Sequence, residues 1–354
     1  MAYLDVHQAC NIVLLTPGNE GNPVVLNPLN FAQTVAGQSA VLTGASGNVA
    51  LQIPAFYYSY SYAGSTHNLA ISLSPFPGSL IHPAFLKNGV FTPFRYIGIY
   101  EASWYDVSAA AWVDGDGINA AFDPTVDKIG SIVGKKPLTN KTRWNFRTAA
   151  ARVGSGWSIM DFWLYNAMKL LYYTRYNNFN SQLMLGAGNS QFGAWAFGTC
   201  ISATGKVLSV TAPGQTTGGG NSGDYCNFMG IENPFGEVSE FIDGWNINSG
   251  VNYVCSRPAS FADDTAANYT LFGQTNCQES GFQATLQPNV GMLPATVGAT
   301  SATKITDYYW YTGGWVAPCV GGAANAGSID GLLYLHADAG YSNANDSIGA
   351  RLCF

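Results

Sequence analysis

The last segment of the chain, residues 307–354, is its strongest constraint. It reads DYYWYTGGWVAPCVGGAANAGSIDGLLYLHADAGYSNANDSIGARLCF, with glycine at 313, 314, 321, 322, 327, 331, 340 and 349 and neither lysine nor glutamate. Glycine admits backbone conformations closed to other residues. The spacing GG-x4-G-x3-G (Gly321, Gly322, Gly327, Gly331), closed by Ile348-Gly-Ala-Arg-Leu352, therefore describes a defined backbone course. Small, aromatic and polar residues alternate between the glycines. Such a segment can keep one path while its side chains change, as a recognition surface must and a catalytic centre need not.

The chain has 354 residues, enough for one large domain or two ordinary ones. Charged residues make up only 10%, against roughly 25% in an average globular protein, while Tyr, Phe, Trp and Gly fill the gap. That mixture suits a loop-rich fold with an uncharged polar surface, as in secreted or virion proteins. A net charge of −6 argues against nucleic acid as the main partner. The local exception is basic: Lys128, Lys135, Lys136, Lys141, Arg143, Arg147 and Arg152 follow one another with no acid among them. We read this run first as a solvated helix face with its leading loop, and second as an anion or nucleic-acid patch. The N-terminus has an acid at Asp5 and no basic leader, so no secretory signal is expected, and no apolar run approaches the ~20 residues of a membrane span.

Short apolar runs punctuated by Gly, Pro and Ser fill the first 78 residues, the pattern of a β-rich N-terminal region. Ser74-Pro-Phe-Pro-Gly78 is its candidate boundary, which leaves 79–354 as the main domain. Two helices are expected in the middle. One covers about 140–153 and stops at Gly154; the other runs to about Tyr176 behind a capping box at Ser158-Ile-Met-Asp161, its apolar residues spreading over more than one stripe. The run 213–223, rich in Gly, Thr and Ser, reads as a flexible loop. Helices among many short strands make the class α+β.

Conventional chemistry is thinly represented. Asp114-Gly-Asp-Gly117 with Asn119 has the spacing of calcium ligands but lacks the closing Glu, so a turn is the preferred reading and no cofactor or metal is expected. Glu232, Glu237, Glu240 and Asp243 could supply paired carboxylates for glycoside hydrolysis; buried carboxylates bonded to loop amides are the simpler reading. Cys10, Cys200, Cys226, Cys255, Cys277, Cys319 and Cys353 include no C-x-x-C pair and read as free, buried thiols.

Three segments in order point to a family. Gly154-Ser-Gly-Trp157 leads into the second helix and on to Asn180-Ser-Gln182; Gly230-Ile-Glu-Asn-Pro-Phe-Gly236 runs to Phe241-Ile-Asp-Gly244; and GARL closes the chain. From about residue 81 to the end, the sequence resembles the variable proteins of diversity-generating retroelements, the group of the bacteriophage tropism determinants. The resemblance implies a C-type lectin fold of the branch shared with formylglycine-generating enzymes. It also implies a ligand-binding, non-enzymatic protein whose last segment, about 308–347, is rewritten at adenines by an error-prone reverse transcriptase.

Asparagine codons scattered in that way reach Ser, Asp, Tyr, His, Ala and Gly but not Lys or Glu, which matches the tail. The implied variable contacts are Ala323, Ala324, Asn325, Ala326, Ser328, Asp330, Tyr334, His336, Asp338, Ala339, Tyr341, Asn343 and Asp346, with Tyr308 and Trp310 on the same face. Gly321, Gly322, Gly327, Gly331, Gly349 and Arg351 are the implied scaffold. The family often has Trp where this chain has Ala324, and the Glu-Pro-Asn of sugar-binding lectins is absent. The implied partner is a protein or other ligand on a cell surface. The implied setting is a phage tail or bacterial surface, and a homotrimer is compatible with it. The rival readings are an oxidase of the formylglycine-generating type, using Cys319 and Cys353, and a virion structural protein. Trp163 is the expected core anchor of the second helix.

Overall fold

The two ends of the chain meet in one sheet. The structure, a computed structural model, describes residues 3–193, 195–212 and 224–354; the 213–223 run lies outside them. The first sheet has the order Ser158–Ile159, Leu352–Cys353, Phe94–Gly98, Asn48–Pro54, Asn11–Leu15, Val24–Asn27, Asn30–Thr34. Its central strand, Asn48–Pro54, is buried at every position, which explains its near-continuous apolar run. The two polar side chains in it are satisfied. Gln52 donates to the Tyr96 hydroxyl at 3.1 Å, and Asn48 accepts the Ser131 amide at 2.9 Å.

The boundary expected at residue 78 is crossed by this sheet, because Asn48–Pro54 pairs with Phe94–Gly98 through five registered residues from Phe94↔Pro54 to Gly98↔Ala50. The stretch Ser74-Pro-Phe-Pro-Gly78 itself joins Thr66–Ser72 to Leu80–Ile81, and both of these pair with Tyr57–Ala63. A short helix, α1 (Tyr3–Ala9), precedes the first strand.

The second large sheet carries the tail. Its order is Pro294–Val297, Gly281–Leu286, Tyr308–Tyr311, Gly331–Ala337, Cys319–Gly321, Ser239–Phe241, Ile348–Gly349. Tyr308–Tyr311 runs parallel to Gly331–Ala337, and Ser239–Phe241 parallel to Ile348–Gly349. Gly349 and Leu352 thus belong to different sheets, and Arg351 lies between them. The architecture is α+β.

Helix α2 (Arg143–Ala151) opens with a capping box formed by Thr142 and Asn145, two donors satisfied reciprocally. Helix α3 (Phe162–Tyr176) starts later than expected. Asp161 is its cap, accepting the Leu164 amide at 2.9 Å. Ser158 cannot cap it, because Ser158 and Ile159 are extended and pair with Cys353 and Leu352. The Asp161 carboxylate also binds Arg95 at 2.7 Å. Buried side chains surround α3 on most of its circumference, as its apolar residues on more than one stripe require. One core cluster joins Ile12, Leu51 and Ile97 of the first sheet to Leu170 of α3 and to Leu333 and Leu335 of the second.

Trp163 is not the anchor of this helix. It is half-buried at the core's edge, whereas its neighbour Phe162 is 1% exposed and packs edge-on against Trp245 and Phe272. Phe162→Ala is therefore expected to cost about 3–5 kcal/mol in urea unfolding, and Trp163→Ala clearly less. Equal losses, or the reverse order, would refute this placement.

Asp307 stitches two tail strands from inside. Its carboxylate accepts the Leu333 amide at 2.7 Å and the Thr306 hydroxyl at 2.9 Å, and burial pushes its pKa up to about 7. A raised carboxyl holds its proton in the folded state where the unfolded chain has lost it. Its stabilising effect is thus complete below pH 3.8 and lost as pH rises to about 7. His82, held down to about 4 by burial, acts in the opposite sense over part of that window, so a difference between two proteins is the informative quantity. The stability of wild type minus that of Asp307→Asn should fall between pH 4 and pH 7 by about 1.4 kcal/mol for each unit of the shift. A difference independent of pH would show that Asp307 is not raised.

Candidate ligand-binding site

Strand Gly331–Ala337 alternates its side chains, so Tyr334 and His336 share a face. Trp310 is registered opposite His336 on the parallel neighbour and stacks against Tyr308 at 4.6 Å between ring centroids. The next residue on the same side, Asp338, brings its carboxylate within 2.5 Å of Nε2 of His336. The 322–330 turn brings Ala323, Asn325, Ala326 and Ile329 up beside them, while Ser239 and Ser347 complete the wall. This open depression measures about 340 Å³, within the usual size range of small ligand clefts.

The depression thus gathers Trp310, Ala323, Asn325, Ala326, Tyr334, His336 and Asp338 from the residues expected to vary. Ala323 and Tyr334 show it only an edge, at 7% and 6% exposure. Around it, Ser328 and Tyr341 are exposed, and Tyr308, Asn343 and Asp346 half-buried. Three expected contacts need correction. Ala324 is fully buried against Phe197, Cys200 and Val238, with its amide bonded to the Glu237 carbonyl and its carbonyl to the Phe192 amide. Ala339 is buried too, and its carbonyl accepts the Ala317 amide at 3.0 Å. Asp330 is fully enclosed, and burial lifts its pKa well above the usual carboxylate range. None of the three presents a side chain to a ligand.

Asp330 explains one of the glycines. Gly322 has φ +83°, and a Cβ there would lie 1.6 Å from the Asp330 carboxylate, so the position excludes any side chain on two grounds. A Cβ on Gly331 would lie 2.3 Å from the Asp307 carboxylate. Gly321 ends a strand, Gly327 opens a short 3-10 turn to Ile329, and Gly349 lies in the Ile348–Gly349 strand. Ser239, Ile329 and Ser347 were missed. Ser239 reaches the wall because its strand pairs in parallel with Ile348–Gly349 and its amide bonds the Ser347 carbonyl at 2.9 Å; no local pattern marks such a pairing.

The other candidates are structural. Glu240 is paired with Arg351, and Asp243 with Arg147 at 2.7 Å. Glu232 accepts the amides of Gly205 and Val207, and Glu237 those of Ser202 and of the Asn233 side chain. All four carboxylates are buried, and none faces another across an open cleft as glycoside hydrolysis requires. Asp116 accepts the Ile118 amide of its own turn at 2.7 Å. No group of three or more His, Cys, Asp or Glu among the described residues could hold a metal ion.

The basic run differs from its expected form. Arg143 and Arg147 are not on a solvated face but point inward, where Asp263 and Asp243 neutralise them. All seven cysteines are free. Burial raises the pKa of both Cys319 and Cys353, which opposes the accessible thiolate an oxidase needs. Among the described residues, no helix is long and apolar enough to cross a membrane.

No family model matches the chain, and no curated protein matches it. Among solved structures, it is similar to the U1 variant of Major Tropism Determinant, at 13% identity and a TM-score of 0.32, over 97% of this chain and 71% of that one. The I1 variant gives 13% identity and a TM-score of 0.31 with the same coverage. For the P3c variant the values are 12% and 0.32, over 97% of this chain and 80% of that one.

Proposed function

We propose that this chain is a non-enzymatic binding protein with a C-type lectin fold of the formylglycine-generating-enzyme branch, whose tail face recognises a ligand on a cell surface. The observation that carries this reading is the division of the tail. Trp310, Asn325, His336 and Asp338 open on the depression, while buried Asp307 and Arg351 hold the backbone from within through their bonds to main-chain groups. Aromatic and short polar side chains on a fixed frame supply contact area with little ordering cost.

In this reading a retroelement rewrites the open positions at adenines and leaves the pinned ones alone. A phage tail or bacterial surface is the setting, a homotrimer the assembly, and the β-rich first 78 residues the attachment region. The burial of Cys319 and Cys353 tells against the oxidase reading.

A displayed library varied at Asn325, Ser328, His336, Asp338 and Tyr341 and selected against lysozyme as a probe protein should yield specific binders. Their melting temperatures should stay within about 3 °C of the parent, since surface changes of this kind typically cost under 0.5 kcal/mol. General unfolding of the library would sink the proposal. So would a genome with no near-copy of the last coding segment differing only at adenines beside a reverse transcriptase gene.

A further inference from the structure

A separate cavity of about 670 Å³ opens where the hairpin of Tyr57–Ala63 and Thr66–Ser72 lies over the C-terminal end of α3. It shares no lining residue with the depression at Trp310. Its wall includes Thr66, His67, Asn177, Asn178, Phe179 and Lys304, and no Asp or Glu.

The charge there is unmatched. Buried Arg95, Arg143 and Arg351 and half-buried Arg147 each lie beside a carboxylate, whereas Lys304 joins no ion pair among the described residues. Its ammonium stands 5.3 Å from the centre of the Phe179 ring. His67 adds a second donor. Its Nδ1 lies 2.9 Å from the Tyr60 hydroxyl, and burial, then Lys304, lowers its pKa. With Nδ1 engaged there, Nε2 is the ring nitrogen that makes no hydrogen bond among the described residues. Tyr173, only 6% exposed, also lines the cavity and carries a hydroxyl with no hydrogen-bond partner. The carbonyl end of α3 opposes this positive field by roughly half a unit charge at most. Part of it is closed internally by the Asn177 amide on Tyr173 and the Thr174 hydroxyl on Leu170.

We infer that this cavity is a second ligand site, taking a small organic anion whose carboxylate or phosphate sits against Lys304 and His67 and whose hydroxyl-bearing body meets Asn177 and Thr66. The volume suits a monosaccharide or disaccharide. The inference does not depend on the function proposed for the tail face.

Calorimetric titration of the full chain with glucuronate and with glucose 6-phosphate tests it. Saturable binding of at least one is expected, at least about tenfold tighter than neutral glucose, and weakened at least about tenfold by Lys304→Gln, as loss of a charged hydrogen bond implies. Lys304 is exposed, so this variant should melt with the wild type. His67→Ala should weaken the same probe. The inference is overturned if neither anion binds saturably, if glucose binds as tightly, or if Lys304→Gln binds undiminished. Binding lost in Trp310→Ala but kept in Lys304→Gln would place the anion at the other depression and overturn it equally.

Discussion

Arg351 is the joint of the molecule. Its guanidinium grips Glu240 through Nε at 2.9 Å and Nη2 at 2.6 Å, and donates to the carbonyls of Gly98, Glu232 and Asn233 at 3.2, 3.0 and 3.0 Å. Gly98 belongs to the first sheet and Glu240 to the second, so one buried side chain fastens the two sheets where the chain passes between them. A buried cation is tolerable only when its charge and its donors are all met. Removing one member of such a pair typically costs about 3–5 kcal/mol. The planar fork of arginine can serve a carboxylate and several carbonyls together, which the ammonium of lysine cannot.

The same economy governs the tail face. Asn325, Ser328, Asp338 and Tyr341 are exposed, while the course of the segment is held from within by buried groups. Asp307 binds the amide of Leu333 beneath the strand that displays Tyr334 and His336. Asp330 fills the space that Gly322 leaves open. Burial raises the pKa of both carboxylates, which opposes their ionisation inside the fold. Because the contacts above do not carry these bonds, their replacement need not disturb the frame.

A chain with so few charges places a large share of them inside. Arg95, Arg143, Arg147 and Arg351 all pair with carboxylates far away in sequence. This is why the run of basic residues at 128–152 misleads as a surface feature. Its two inner arginines are neutralised by Asp243 and Asp263, about a hundred positions later. Charge counted along a sequence carries no sign of such pairing.

The glycine-spaced tail, the two central helices and the α+β class were legible in the chain, since each rests on local rules of backbone freedom, capping and periodicity. Local reading failed where a distant partner decided the outcome. Ser158 looks like a helix cap until Cys353 pairs with it, and Asp161 takes the role instead. Ala324, Asp330 and Ala339 sit among variable-looking neighbours, yet the fold buries them, Ala324 against Phe197, Cys200 and Val238. A tract such as Ser74-Pro-Phe-Pro-Gly78 resembles a domain boundary, but hydrogen bonding across Asn48–Pro54 and Phe94–Gly98 runs past it. By itself, then, the sequence determined which segments could bend, cap and alternate. Tertiary structure alone decided which side chains face outward and which charges meet, because burial and pairing depend on contacts between residues far apart in the chain.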